Sequence, residues 1–146
     1  MSVLEQGWIT FAVDYGVIGL LIFLCFMVVG LALERILFFR KLDVAQYEKK
    51  QSLELQIRKN LPFIGTVAGN APYIGLLGTV LSIMMTFYNI GVDNSLNTTS
   101  IMASLALALK ATAVGLIVAI VAVVFYNMLS QKSDSLLLQW DMIHEK

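Results

Sequence analysis

The residues whose spacing could do chemistry sit on two long apolar runs. From Leu61 to Val92 there is no charge, and Gly75, Thr79, Ser82, Thr86 and Asn89 follow steps of four, three, four and three. Such steps place them on one face of a helix. In the second run Ser104, Ala108, Thr112, Gly115 and Ala119 keep a similar spacing, and Ala111, Gly115 and Ala119 recur at every fourth position. Small residues in such stripes, here also Gly78, let helices approach closely, and hydroxyls bond across the contact. Hydroxyls can also replace part of an ion's hydration, so Thr79, Thr112 and Ser82 are candidates to line an ion path. Helix packing accounts for either stripe alone. Lys110 is the one charge in the second run. A lysine near the centre of a membrane helix costs roughly 2.5–3.5 kcal/mol. It must face protein or water, or snorkel to an interface. No Asp or Glu falls within the expected spans, so a carboxylate paired with Lys110 at that depth is expected from another chain.

Two long helices must position these residues. The polar stretch from Asp93 to Ser100 separates the runs and reads as a hairpin turn centred between Leu96 and Asn97. Measured from that centre, Thr79 and Thr112 differ by two positions, roughly 3 Å of helix rise. Straight antiparallel helices therefore bring the two hydroxyls to similar depth. A spanning helix needs roughly 20 apolar residues. Spans are expected at about 15–33, with helix continuing to about 39, and at about 68–90 and 101–126. A helix over about 40–60, with Leu42, Ala45, Leu53 and Ile57 as its buried stripe, follows the first span. Another covers about 127–146, with Leu136, Leu137, Trp140 and Ile143 on its apolar face. Pro62 or Pro72 starts or kinks the second membrane helix. Residues 2–14, with Trp8 and Phe11, read as an interfacial helix or a frayed terminus. The fold expected is an all-α integral membrane protein, three transmembrane helices with cytosolic helical extensions in a single membrane domain. Three spans leave little room for an internal channel. The stripes therefore suggest helices packing against copies of themselves, a homo-oligomer with polar residues lining a shared axis.

Composition agrees. The 146 residues are 58% hydrophobic and only 14% charged, with mean hydropathy +0.79. Net charge is zero, so no bulk attraction to nucleic acid is implied. Cys25 and His144 are each the only one of their kind, which leaves no intrachain disulfide and no metal site. There is no nucleotide-binding Gly motif, no Ser/His/Asp set and no paired carboxylates in a cleft, so neither an enzyme nor a cofactor is expected. The first 34 residues hold no Lys or Arg, unlike the positive start of a secretory signal. Basic residues do cluster after the first span: Arg35, Arg40, Lys41, Lys49, Lys50, Arg58 and Lys59. The hairpin turn has none, and the tail has Lys132 and Lys146. The positive-inside rule then puts the N-terminus and the turn outside, and the basic loop and C-terminus in the cytosol. The basic loop reads as a solvated helix or as a site for lipid headgroups.

The hairpin resembles the ExbB/TolQ/MotA proton-channel family, most closely its ExbB branch. The residues that carry the likeness are Ala71-Pro72-Tyr73-Ile74-Gly75-Leu76-Leu77-Gly78-Thr79-Val80 on the second span. On the third they are Ala108-Leu109-Lys110-Ala111-Thr112-Ala113-Val114-Gly115-Leu116, then Val118-Ala119-Ile120 and Phe125-Tyr126-Asn127. The resemblance implies a ring, a pentamer, in the bacterial inner membrane, with a dimer of an ExbD-like single-span partner at its centre. Proton flow past the partner's membrane aspartate would drive motion that a TonB-like or TolA-like protein carries to the outer membrane. Thr79 and Thr112 would line the path beside that aspartate.

Some positions depart from the family pattern. Members often carry a glutamate on the third span, five residues before the threonine, where this chain has Leu107. Lys110 lies about one turn further along the same face, which makes it the candidate charge facing the partner. A proline is common after the Val-Ala-Ile stretch, and Val121 stands there. The cytosolic region is also far shorter than in the longer members. The function implied is a proton-motive-force-driven energiser of TonB-dependent uptake. The alternatives are a TolQ role in the Tol-Pal envelope system and a non-conducting membrane scaffold.

Overall fold

The computed structural model describes residues 3–94 and 97–145. The order is α1 (Val3–Lys41), a 3-10 turn (Val44–Gln46), α2 (Lys50–Ile57), α3 (Leu61–Asp93) and α4 (Thr98–His144). Ser95 and Leu96, at the centre of the expected hairpin turn, lie outside the described residues, as do Ser2 and Lys146. Three helical stretches are long and apolar enough to cross a membrane: Gly7–Lys41, Leu61–Val92 and Thr98–His144. They leave large apolar side chains uncovered, Phe26 at 75% exposure and Ile120 at 64% among them. Water does not tolerate so much contiguous apolar surface, whereas lipid does.

Local chemistry sets the helix ends. Arg40 and Lys41 occupy the last turn of α1, next to its negative dipole end. The Asp43 carboxylate then accepts the Ala45 N–H at 3.0 Å and caps the 3-10 turn. The continuous helix expected over 40–60 is therefore corrected: the chain leaves helix between Leu42 and Lys49. A short acidic side chain offers the backbone a local alternative to the helix bond. The expected stripe changes with it. Val44 is buried and Ala45 exposed, while Leu53 and Ile57 are fully buried. Asn60 at φ 69° precedes α3 and Asn94 at φ 49° follows it. Asparagine is among the few residues that accept this left-handed backbone. Pro62 falls in the first turn of α3, and Pro72 sits inside the helix. α1 is continuous from Val3, so the residues up to Asp14 extend the first apolar helix without a break.

The chain forms two compact units, one of Met1–Leu24 with Asn70–Ala119, the other of Cys25–Gly69 with Ile120–Lys146. In the second unit Val28, Ala32, Leu53, Ile57, Ile64 and Leu129 are all at most 1% exposed. Outside the membrane, as for Leu53 and Ile57 of α2, burying a large aliphatic side chain contributes roughly 1.5–3 kcal/mol; within lipid the gain comes from close packing alone. Two polar side chains of this unit bond to backbone carbonyls. Ser133 Oγ donates to Leu129 O at 2.9 Å, and Trp140 Nε1 donates to Tyr47 O at 2.9 Å. Lys50–Asp141 (2.8 Å) is a half-buried ion pair and Arg58–Asp134 (3.0 Å) an exposed one; an exposed pair is worth about 0–1 kcal/mol. Leu136 and Leu137 are buried, but Ile143, expected on the same apolar face, is 50% exposed.

Candidate functional site

The first unit packs α3 against α4 in antiparallel fashion, with α1 alongside. Two glycines set the α3–α4 distance. A Cβ at Gly75 would lie 2.6 Å from Ala111 O, and one at Gly115 would lie 2.7 Å from Ala71 O. Gly78 lies between α1 and α4, where a Cβ would meet Val17 Cγ1 of α1 at 2.8 Å and Ala111 Cβ of α4 at 3.0 Å. Ala108, Ala111 and Ala119 are buried. The side chains that bring these backbones together are therefore small or absent.

The close approach allows a hydroxyl bridge. Thr79, 5% exposed, donates across the contact to Ala108 O at 3.0 Å. Its hydroxyl lies 2.5 Å from that of half-buried Thr112. Thr112 Oγ1 is also 3.4 Å from Gly75 O. If Thr79 donates to Ala108 O, Thr112 can donate to Thr79, and both hydroxyl protons have acceptors. The pair that straight antiparallel helices would place at one depth is in direct contact.

One turn along α3, the Ser82 hydroxyl donates to Asp14 Oδ1 of α1. Ser82 is 4% exposed. Thr86 Oγ1 donates to Ser82 O at 2.9 Å. Among the described residues, the buried Asn89 Oδ1 has no partner. Asp14, Ser82, Thr86, Asn89, Ser104 and Leu107 are among the lining of a cavity of about 510 Å³ on this side. A second cavity of about 140 Å³ is lined by Asp14, Tyr15, Ile18, Leu107, Lys110 and Ala111.

Lys110 is exposed and borders that second cavity. Asp14 of the same chain borders this cavity too, so a carboxylate lies on α1 at the level of Lys110 without forming an ion pair with it among the described residues. The spans estimated from composition began after Asp14, whereas the apolar helix runs from Gly7. Asp14 is the site residue that the sequence reading missed. Its signal was a helical face: Thr10, Asp14, Val17 and Leu21 follow steps of four, three and four. Val17 meets Gly78 and Leu21 is fully buried.

Compared with known families, residues 36–142 match the MotA/TolQ/ExbB proton channel family. The ExbB-like 2 biopolymer transport protein of Helicobacter pylori is 52% identical over 132 residues, covering 90% of this chain and 88% of its own. The biopolymer transport protein ExbB of Aquifex aeolicus is 50% identical over 132 residues, 90% of this chain and 89% of its own. The Tol-Pal system protein TolQ of Pseudomonas aeruginosa is 38% identical over 98 residues, 67% of this chain and 41% of its own. With three helices able to cross a membrane, the chain is an all-α integral membrane protein.

Proposed function

Because this chain belongs to the MotA/TolQ/ExbB proton channel family, we propose that it is an ExbB-type energising subunit driven by the proton-motive force. It works in the TonB-ExbB-ExbD complex of a bacterial inner membrane and powers TonB-dependent uptake across the outer membrane. Copies form a pentameric ring around an ExbD-like single-span partner, and a TonB-like protein carries the work outward. The N-terminus is periplasmic, and the basic segment from Arg35 to Lys59 and the C-terminus are cytosolic, as the Lys/Arg asymmetry supports.

The observation that carries this reading is the contact between the Thr79 and Thr112 hydroxyls inside an otherwise apolar helix pair. With their protons directed to each other and to backbone carbonyls, the hydroxyls hold oxygen lone pairs at a fixed place. There they can stabilise a passing proton carried by water or by an acid of the partner. Ser82 extends the hydroxyl row by one turn. Lys110, exposed on α4, faces the partner and attracts its carboxylate.

Thr79→Val with Thr112→Val tests the reading, because valine keeps the shape and removes the oxygens. Energised uptake is expected to be abolished while the complex still purifies at its normal size. A double variant that supports normal uptake would favour the scaffold alternative. Lys110→Met is expected to weaken partner retention on purification more than it weakens contacts between copies. Normal retention and uptake would leave this charge without an essential role. The TolQ likeness keeps the Tol-Pal role as a second reading. Complementation separates the two: an ExbB-type chain restores TonB-dependent uptake in a strain lacking its own ExbB and TolQ, and a TolQ-type chain restores envelope integrity.

A further inference from the structure

We propose that Asp14 of α1 is a proton-carrying residue of this channel, taking protons from the hairpin-turn side of the Thr79–Thr112 pair. This rests on the proton-channel reading and adds a group to it. Asp14 lies before the segment 36–142 that matches the family.

Position is the first argument. Among the described residues, Asp14 and Leu107 are the two that border both of these cavities. The larger cavity reaches Asn97 and Ser100 at the end of the hairpin turn. The smaller one reaches Ala111, the neighbour of Thr112. A group at the junction can meet water from one side and release to the other. Leu107 cannot exchange a proton, so among the described residues only Asp14 can act at that junction.

Chemistry is the second. Among the described residues, Asp14 and Lys110 are the only charged side chains lining these two cavities, and no ion pair joins them. From α3 the carboxylate faces neutral partners, Ser82 with Thr86 and Asn89 beyond it. Ser82 donates to one carboxylate oxygen, which leaves the second oxygen available for a proton. Ser82 is three residues from Thr79, roughly 4.5 Å of helix rise, so the acid sits one turn from the hydroxyl pair. The step is a proton relay. Hydronium in the larger cavity protonates the carboxylate and becomes water. The neutral acid then returns the same proton to water on the side of Thr112.

The test measures proton flux in vesicles that hold the chain purified with its co-expressed single-span partner. Asp14→Asn keeps the size and the oxygen that Ser82 donates to, but cannot carry the proton. Flux is expected to fall by about 100-fold, the scale of a positioned proton-transfer group. Asp14→Glu should restore much of it. Asp14→Asn with Leu107→Glu should also restore flux, because it puts a carboxylate at the same junction from α4. A purely structural role for Asp14 would not be rescued in that way. Wild-type flux from Asp14→Asn, alongside lost flux from the double threonine variant, would overturn this inference and leave the proposed function standing. No flux from the wild-type complex would overturn both. If Asp14→Asn fails to assemble, the wild type decides through dicyclohexylcarbodiimide, which reacts with protonated carboxyl groups in apolar surroundings. Modification mapped to Asp14, with a loss of flux that follows its extent, supports the relay, and full modification of Asp14 with flux retained overturns it.

Discussion

Gly115→Ala is expected to destabilise the hairpin by about 3 kcal/mol, although alanine is the better helix former. In an isolated helix the exchange gains about 1 kcal/mol. Here the new methyl would lie 2.7 Å from Ala71 O and 3.0 Å from Gly75 Cα, and both are backbone atoms. Neither can swing away, so the helices must separate. Overpacking of this kind costs about 1–3 kcal/mol. Separation also strains the bonds from Thr79 to Ala108 O and between Thr79 and Thr112, each worth about 0.5–1.5 kcal/mol. The losses outweigh the propensity gain. Gly75→Ala should behave alike, with its methyl 2.6 Å from Ala111 O. Gly69→Ala is the control on the same helix, because an added Cβ there meets nothing within 4 Å. Denaturant unfolding of the purified protein in detergent, followed by helical circular dichroism, separates the three. Equal stability of Gly115→Ala and Gly69→Ala would show that the α3–α4 contact has room for a methyl group. The bridge should fail with the contact, so Gly115→Ala is also expected to lose proton flux.

Arg35→Ala is expected to cost a similar amount, about 3 kcal/mol, in the other unit. The side chain is 5% exposed. Its guanidinium donates to Gln56 O of α2 at 2.9 Å, pairs with Glu34 at 3.0 Å and lies 4.6 Å from the Phe38 ring centre. Glu34 is 55% exposed and rehydrates when the pair is broken, so the pair itself contributes little. The loss comes from the charged bond to Gln56 O, about 1.5–3 kcal/mol, and from the space the alkyl stem leaves. Arg35→Met isolates the two. Methionine refills the space and removes a buried Nε that has no partner among the described residues. It should cost clearly less than alanine. Amide hydrogen exchange over Lys50–Ile57 reads the effect locally, because Arg35 ties α2 to α1. Identical exchange in the wild type and both variants would remove Arg35 from the account of α2.

Much of the candidate site was legible because helix geometry is local. Steps of three and four place Thr79 and Ser82 on one face whatever lies opposite. The rise per residue likewise levels Thr79 with Thr112 across any tight turn. Asp14 was not legible by the same route. A count of uncharged residues stops a span at the first carboxylate, but this carboxylate has a hydroxyl partner and two cavities beside it. The break between Leu42 and Lys49 was missed for a related reason. Nothing there forbids helix, and one cap with the burial of Val44, Leu53 and Ile57 outweighed propensity.

The sequence by itself determined three apolar helices, the residues sharing each face and the depth at which two hydroxyls meet. These follow from the order of side chains along a periodic backbone. Only the tertiary structure decided which faces meet. It made Gly75 and Gly115 indispensable and Gly69 idle, though all three are glycines in helices. It set Asp14 against Ser82 and beside the same cavity as Lys110, from positions far apart in the chain. Composition does not record such pairings, because they are settled by what fits when helices pack.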